Sequence, residues 1–341
     1  MTIKKKTFVY LILFSIAIMI PFLNSCNNDN DFGGIDATIP EFDFPTSITF
    51  EQNLSAYNLF QGKLSNLQPT EEYQLLELSS VLYTDYAKKQ RLVKVPAGEK
   101  MTKNTDGSIN FPDGTILAKT FYYFKDERDT TLGKRVIETR LLIKEAEVWN
   151  IATYLWNAEQ TDAELLLEGL DTPVNWITTN GINRATTYHV PDENECITCH
   201  QANSNMIPLG TSLRNLNRNV IRNGSSFNQL VHLQSVGILD NFNINAVPQI
   251  VDYNDVSVSL TNRTRAYLDL NCAHCHNPNA WEESAMEDLD FRYETPLNQT
   301  GILQEADEIE ELVVDGEMPF IGTTLLDEEG VNLIVQYIES L

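Results

Sequence analysis

Four of the chain's five cysteines fall in two pentapeptides of one pattern, Cys196-Ile197-Thr198-Cys199-His200 and Cys272-Ala273-His274-Cys275-His276. Two thiols held two residues apart and followed at once by an imidazole can do one specific chemistry. The thiols add across the two vinyl groups of a porphyrin, and the adjacent histidine turns beneath the ring so that its Nε2 ligates the iron. The spacing therefore predicts two covalently bound haem c groups, attached at Cys196, Cys199, Cys272 and Cys275, with His200 and His276 as iron ligands. Other uses of these cysteines fit less well. Zinc ribbons place their pairs about 15–20 residues apart, whereas a whole domain's length of chain separates Cys199 from Cys272. A thioredoxin-like pair needs a βαβ context and does not call for a following histidine, and a bridge across two residues is strained and staples nothing distant.

Stepping outward from the second motif, apolar Leu260, Ala266, Tyr267, Leu268 and Leu270 predict a helix from Leu260 to Asn271 that runs straight into Cys272. After it come a loop with Pro278, Trp281 and Pro296, then Met318-Pro319 between glycines, then a helix from Asp327 to Leu341 with Val331, Ile334, Val335 and Ile338 at helical spacing. This part resembles a small class I cytochrome c domain. The resemblance implies that Met318 supplies the sixth iron ligand opposite His276, a pairing that raises the reduction potential.

The first motif follows Ala185 to Val190, which alternates like a strand, and precedes a predicted helix from Phe227 to Leu239. Two side chains are open as its sixth ligand, Met206, six residues past His200, and His232, among Leu230, Leu233 and Val236. Five-coordinate iron is a third possibility. His274 reads as filler between thiols.

From Leu92 to Val190 the chain offers alternating or β-branched runs: Leu92 to Val95, Thr115 to Phe124, Arg135 to Lys144, Val148 to Leu155 and Ala163 to Leu167. Turn signals separate them at Pro112-Asp113-Gly114, Leu132-Gly133-Lys134 and Asn180-Gly181. They predict an antiparallel β domain, a sandwich or a barrel-like sheet. Its aromatics, Phe121, Tyr122, Tyr123, Phe124, Trp149, Tyr154 and Trp156, read as core and sheet surface. The expected fold class is thus α+β multidomain, with an N-terminal antiparallel β domain followed by a mainly α-helical c-type cytochrome region.

At the N-terminus, Lys4, Lys5 and Lys6 precede an apolar run from Phe8 to Leu23, and the stretch ends in Leu23-Asn24-Ser25-Cys26. This reads as an export signal. Its last four residues resemble the lipobox of bacterial lipoproteins, which implies acylation of Cys26 and a lipid anchor. Residues Asn27 to Asp36 are too polar to bury surface and read as a tether. The formal net charge is −24, which argues against nucleic acid as a partner and suits basic redox partners.

The combined pattern resembles a group of bacterial di-haem c-type cytochromes, some associated with β-propeller sugar dehydrogenases or parallel β-helix proteins. The carriers are Leu82-Tyr83-Thr84-Asp85-Tyr86-Ala87, Phe111-Pro112-Asp113-Gly114-Thr115, Lys119-Thr120-Phe121, Ile137-Glu138-Thr139-Arg140-Leu141, Trp156-Asn157-Ala158-Glu159-Gln160-Thr161, Leu213-Arg214-Asn215-Leu216-Asn217 and Arg265-Ala266-Tyr267-Leu268-Asp269-Leu270-Asn271-Cys272. Between His276 and Met318 the chain is shorter than is usual for the group. The resemblance implies single-electron transfer in the cell envelope between redox donor and acceptor proteins, more an electron carrier than a catalyst. A di-haem peroxidase-like enzyme and a haem-bearing accessory subunit of a periplasmic dehydrogenase are the alternatives. The expected organisation is a signal peptide over 1–25, a tether over 26–45, a β-rich domain over 46–190, a first haem segment over 191–256 and a second haem region over 257–341. The whole is expected as an outer-membrane lipoprotein on the periplasmic face or cell surface.

Overall fold

The alternating runs between residues 74 and 166 pair in one open antiparallel sheet. In the computed structural model, which describes residues 48–203, 205–280 and 289–341, six strands lie in the order β1 (Gln74–Leu76), β2 (Lys88–Lys94), β5 (Ile116–Phe124), β6 (Lys134–Glu145), β7 (Val148–Trp156) and β8 (Ala163–Leu166). A short hairpin, β3 (Thr102–Lys103) with β4 (Ile109–Asn110), fills the β2–β5 connection. A second hairpin, β9 (Leu170–Ile177) with β10 (Asn183–Val190), forms its own sheet. Asn180-Gly181 turns it, with Gly181 at φ +79°, where a Cβ would be strained. The N-terminal signal, the Cys26 anchor and the tether lie outside the described residues.

Both faces of the main sheet are buried, because alternate residues of each strand point to opposite sides. One face sends Leu92, Ala118, Leu141, Tyr154 and Trp156 against Leu54, Leu59, Phe60 and Leu67 of the preceding turns. The other sends Val93, Leu117, Trp149 and Ile151 against Cys196, Ile197, Met206, Leu213, Leu216, Leu230 and Leu233. The first cysteine motif therefore shares a core with the sheet. The β9–β10 hairpin covers the sheet's end through Val174, Trp176, Tyr188 and Val190, packed on Phe121, Tyr123 and Ile137.

The expectation of a mainly α-helical cytochrome region after residue 190 is overturned. The described residues are mostly β, in several small antiparallel sheets, and no helical cytochrome-like region is present among them. After α1 (Glu193–His200) come two more hairpins, β11 (Gln201–Ala202) with β12 (Asn205–Met206) and β13 (Asn219–Arg222) with β14 (Ser225–Asn228). Between and after them stand the short helices α2 (Leu213–Leu216) and α3 (Gln229–Ser235). Asn217, Asn223, Gly224 and Gly237 interrupt this stretch, and Asn and Gly favour turns over helix continuation. Further on, α4 (Leu260–Asn271), α5 (Ala306–Val314) and α6 (Glu328–Glu339) do form, and α4 and α6 pack through Tyr267, Leu268, Leu333, Ile334 and Tyr337. Among the described residues these helices do not build a class I cytochrome fold at the C-terminus, nor does the whole form the expected α+β assembly. The anticipated sandwich or barrel is likewise a single open sheet with one attached hairpin.

Several segments that carry the resemblance hold this arrangement together. Asn215 is fully buried and works both ways, accepting from the Ser80 N–H while donating to the Ser80 and Gly210 carbonyls. Asp85, 1% exposed, accepts hydrogen bonds from Thr324 N, Thr324 Oγ1 and Leu325 N, tying the loop before α6 to the start of β2. Glu138, inside the sheet, accepts from Arg140 at 2.5 Å and from Tyr188 Oη at 2.6 Å.

Candidate functional site

Asp192 begins the first motif as a capping residue: its side chain accepts from Glu195 N while Glu195 reaches back to Asp192 N. This capping box satisfies two otherwise unpaired donors and fixes where α1 starts. His189 on β10 braces the same turn, with Nδ1 2.7 Å from Asp171 and Nε2 2.9 Å from Glu195. Cys196 faces the core, and Cys199 and His200 lie on the last turn. The chain then folds back as the β11–β12 hairpin, and His200 Nδ1 donates to the Ile207 carbonyl at 2.8 Å. That bond settles the tautomer and leaves Nε2 as the free ligand atom. Burial, then the neighbouring Lys119 charge, pull the His200 imidazole down to about 3, so it is neutral as a metal ligand must be.

The second motif continues α4 by one turn, with Cys275 N and His276 N both donating to the Cys272 carbonyl. Ser259 caps α4, and Tyr267, Leu268 and Leu270 bury the face that leads to Cys272. His276 lies tilted against Phe291 with ring centroids 5.2 Å apart, its Nδ1 is buried with no hydrogen-bond partner among the described residues, and burial draws the imidazole down to about 4.

The two motifs meet. Cys199, His274 and Cys275 place ligand atoms within 4.8 Å of one another. Asn203 N also donates to the Asn279 carbonyl at 3.0 Å, joining the chain just after each motif. The Cys199 thiol hydrogen-bonded to Cys275 holds the Cys275 thiol below its ordinary range, whereas Cys199 itself is driven up, first by that bond and then by burial. Cys196 and Cys272 are pushed up to about 12 by burial.

A cleft opens beside His200 on the sheet face, lined by apolar Leu76, Leu117, Leu142, Ile151, Pro208 and Leu209 and by three cations, Arg91, Lys119 and Arg140. An apolar wall beside a free imidazole nitrogen suits a porphyrin face, and each motif offers two thiols at the right spacing for the two vinyl groups of one porphyrin, so the residues fit haem c.

The other expected iron ligands, Met206, His232 and Met318, do not line this cleft. Met206 is 6% exposed and packs in the core with Cys196 and Leu213. His232 bonds Gln74 at 3.2 Å, stacks on Phe227 and does not line the cleft. Met318 stands half-buried in the loop after α5, its N–H donating to Leu312 O, and it is not part of the apolar cluster around Cys272. Sequence reasoning missed His274 as a member of the junction, and it missed the three cations of the cleft. A basic run, Lys88-Lys89-Gln90-Arg91, in so acidic a chain was the one available signal.

No protein-family model, no curated protein and no solved structure matches the chain. No helix among the described residues is long and apolar enough to cross a membrane.

Proposed function

We propose that this protein is a di-haem c-type cytochrome that passes single electrons in the cell envelope, anchored through Cys26 to the outer membrane. The observation that carries the reading is the pair of Cys-x-x-Cys-His pentapeptides, and segments far apart in sequence bring them together at Cys199 and Cys275. An isolated attachment motif needs no such partner, whereas a relay needs its centres close. Haem, when bound, supplies the one-electron chemistry. The chain's own residues would hold it, with Cys196, Cys199 and His200 for one group and Cys272, Cys275 and His276 for the other, and Met318 is proposed as a further ligand of the second. The sheet and the apolar residues of the cleft beside His200 would exclude water there, and burial of that kind tunes a potential. Mass spectrometry of protein matured in a periplasm competent for haem attachment should give two covalent haems. A mass with one haem or none would remove the di-haem reading.

One observation favours a second reading, a bound metal ion. Cys199, His274 and Cys275 offer three ligand atoms within 4.8 Å of one another, and three protein ligands plus a solvent position make an open zinc site. Zinc would leave with a chelator and would lack the covalent mass increment and the visible absorption of haem.

A further inference from the structure

Three cations stand in a row on the sheet face that carries the cleft. Arg91 of β2 is the direct cross-strand partner of Lys119 of β5, and Lys119 is the direct partner of Arg140 of β6. Like charges directly opposite one another destabilise an antiparallel sheet. They also lie deep: Arg91 is only 8% exposed. Lys89 lies on the same face two residues before Arg91, with its Nζ held by the Leu82 and Ala87 carbonyls. Burying cations without partners is costly, so the site should contain matching anions.

The protein supplies too few. Glu138, two residues before Arg140 on β6, is the carboxylate beside the row, and Arg140 and Tyr188 already engage it. Asp327 lies near Lys89 but its oxygens accept from Tyr267 Oη and Gly330 N. Among the described residues Arg91 and Lys119 have no ion-pair partner; Lys119 only overlies the Phe121 ring, at 5.0 Å. Burial, and then the neighbouring Arg91 and Arg140 charges, draw Lys119 down to about 7, and burial draws Arg91 down to about 10. In a chain with a net charge of −24, this is a concentrated positive site.

Its position names the anion. Arg91, Lys119 and Arg140 line the same cleft as His200. We infer that this row is the seat of the two propionate carboxylates of the haem attached at Cys196 and Cys199, so that the β-sheet is part of the haem site and not a separate scaffold. The inference rests on the proposed function. Guanidinium and ammonium donors would each form charge-assisted bonds to a carboxylate, and the two negative charges would relieve the repulsion along the row.

The test uses the matured holoprotein. In its resonance Raman spectrum, the propionate-bending band reports hydrogen bonding to those carboxylates. Arg91→Met and Lys119→Met, made separately, should each shift that band while the covalent haem stays, and should lower the potential of that haem, because less positive charge surrounds the iron. Lys88→Met, whose side chain is exposed and pairs with Glu127, should leave the band in place. An unchanged band in both variants, with haem retained at Cys196 and Cys199, overturns this inference alone. Absence of haem at that motif in the unaltered protein overturns the proposed function and the inference together.

Discussion

Cys199 and Cys275, one from each attachment motif, place their sulfurs within 4.8 Å of each other. Groups attached through these two sulfurs would lie close together, so a charge on one would act on the other at short range. Replacing Cys272 and Cys275 by Ala should delete one haem, leave the haem at Cys196 and Cys199, and shift the potential of the remaining centre. Potentiometric titration of both proteins checks this, and an identical potential would rule out coupling between the two sites.

Met318 is proposed as a ligand of the haem that His276 would bind, since a soft neutral ligand favours ferrous iron. Met318→Ala should abolish a thioether-to-iron band in the near red and lower that haem's potential, with the covalent haem still present. If the spectrum and both potentials stay as they were, Met318 is a packing residue of the loop after α5.

Gly330, in the first turn of α6, lets that helix close on α4. A Cβ there would overlap the phenol of Tyr267, whose Oη donates to Asp327 at 2.8 Å. Gly330→Ala should cost about 1–3 kcal/mol, the usual range for overpacking, read as a lower midpoint in denaturant. Undiminished stability would mean that the contact between α4 and α6 can shift without penalty.

His189 couples pH to the seating of α1. Burial works against its protonation, but the hydrogen bonds and charges of Glu195 and Asp171 outweigh it and raise the imidazole above its ordinary value of 6.5. A group raised on folding contributes stability that is complete below the unfolded value and is lost as pH rises through the folded one. The melting temperature should therefore fall as pH climbs above about 6.5, and His189→Gln should flatten that slope. A slope that survives the substitution would assign the dependence to another group.

The sequence by itself determined the local parts. Strict alternation marked the long strands within a few residues, since a half-buried strand leaves a period of two; the run expected from Thr115 to Phe124 is β5 (Ile116–Phe124). The helix from Leu260 to Asn271 and the one after Asp327 were legible from apolar spacing and caps. The two cysteine motifs were legible because their chemistry depends on neighbours along the chain. What only the tertiary structure decided concerns partners far apart in sequence. Nothing local says that Cys199 meets Cys275, or that Arg91, Lys119 and Arg140 stand in one row, because strand register is set by which hydrophobic face is buried and not by the charged residues it aligns. The same limit hid the fold of residues 191–256: short apolar runs fit helix and strand alike, and packing on the sheet resolved them into hairpins and brief helices.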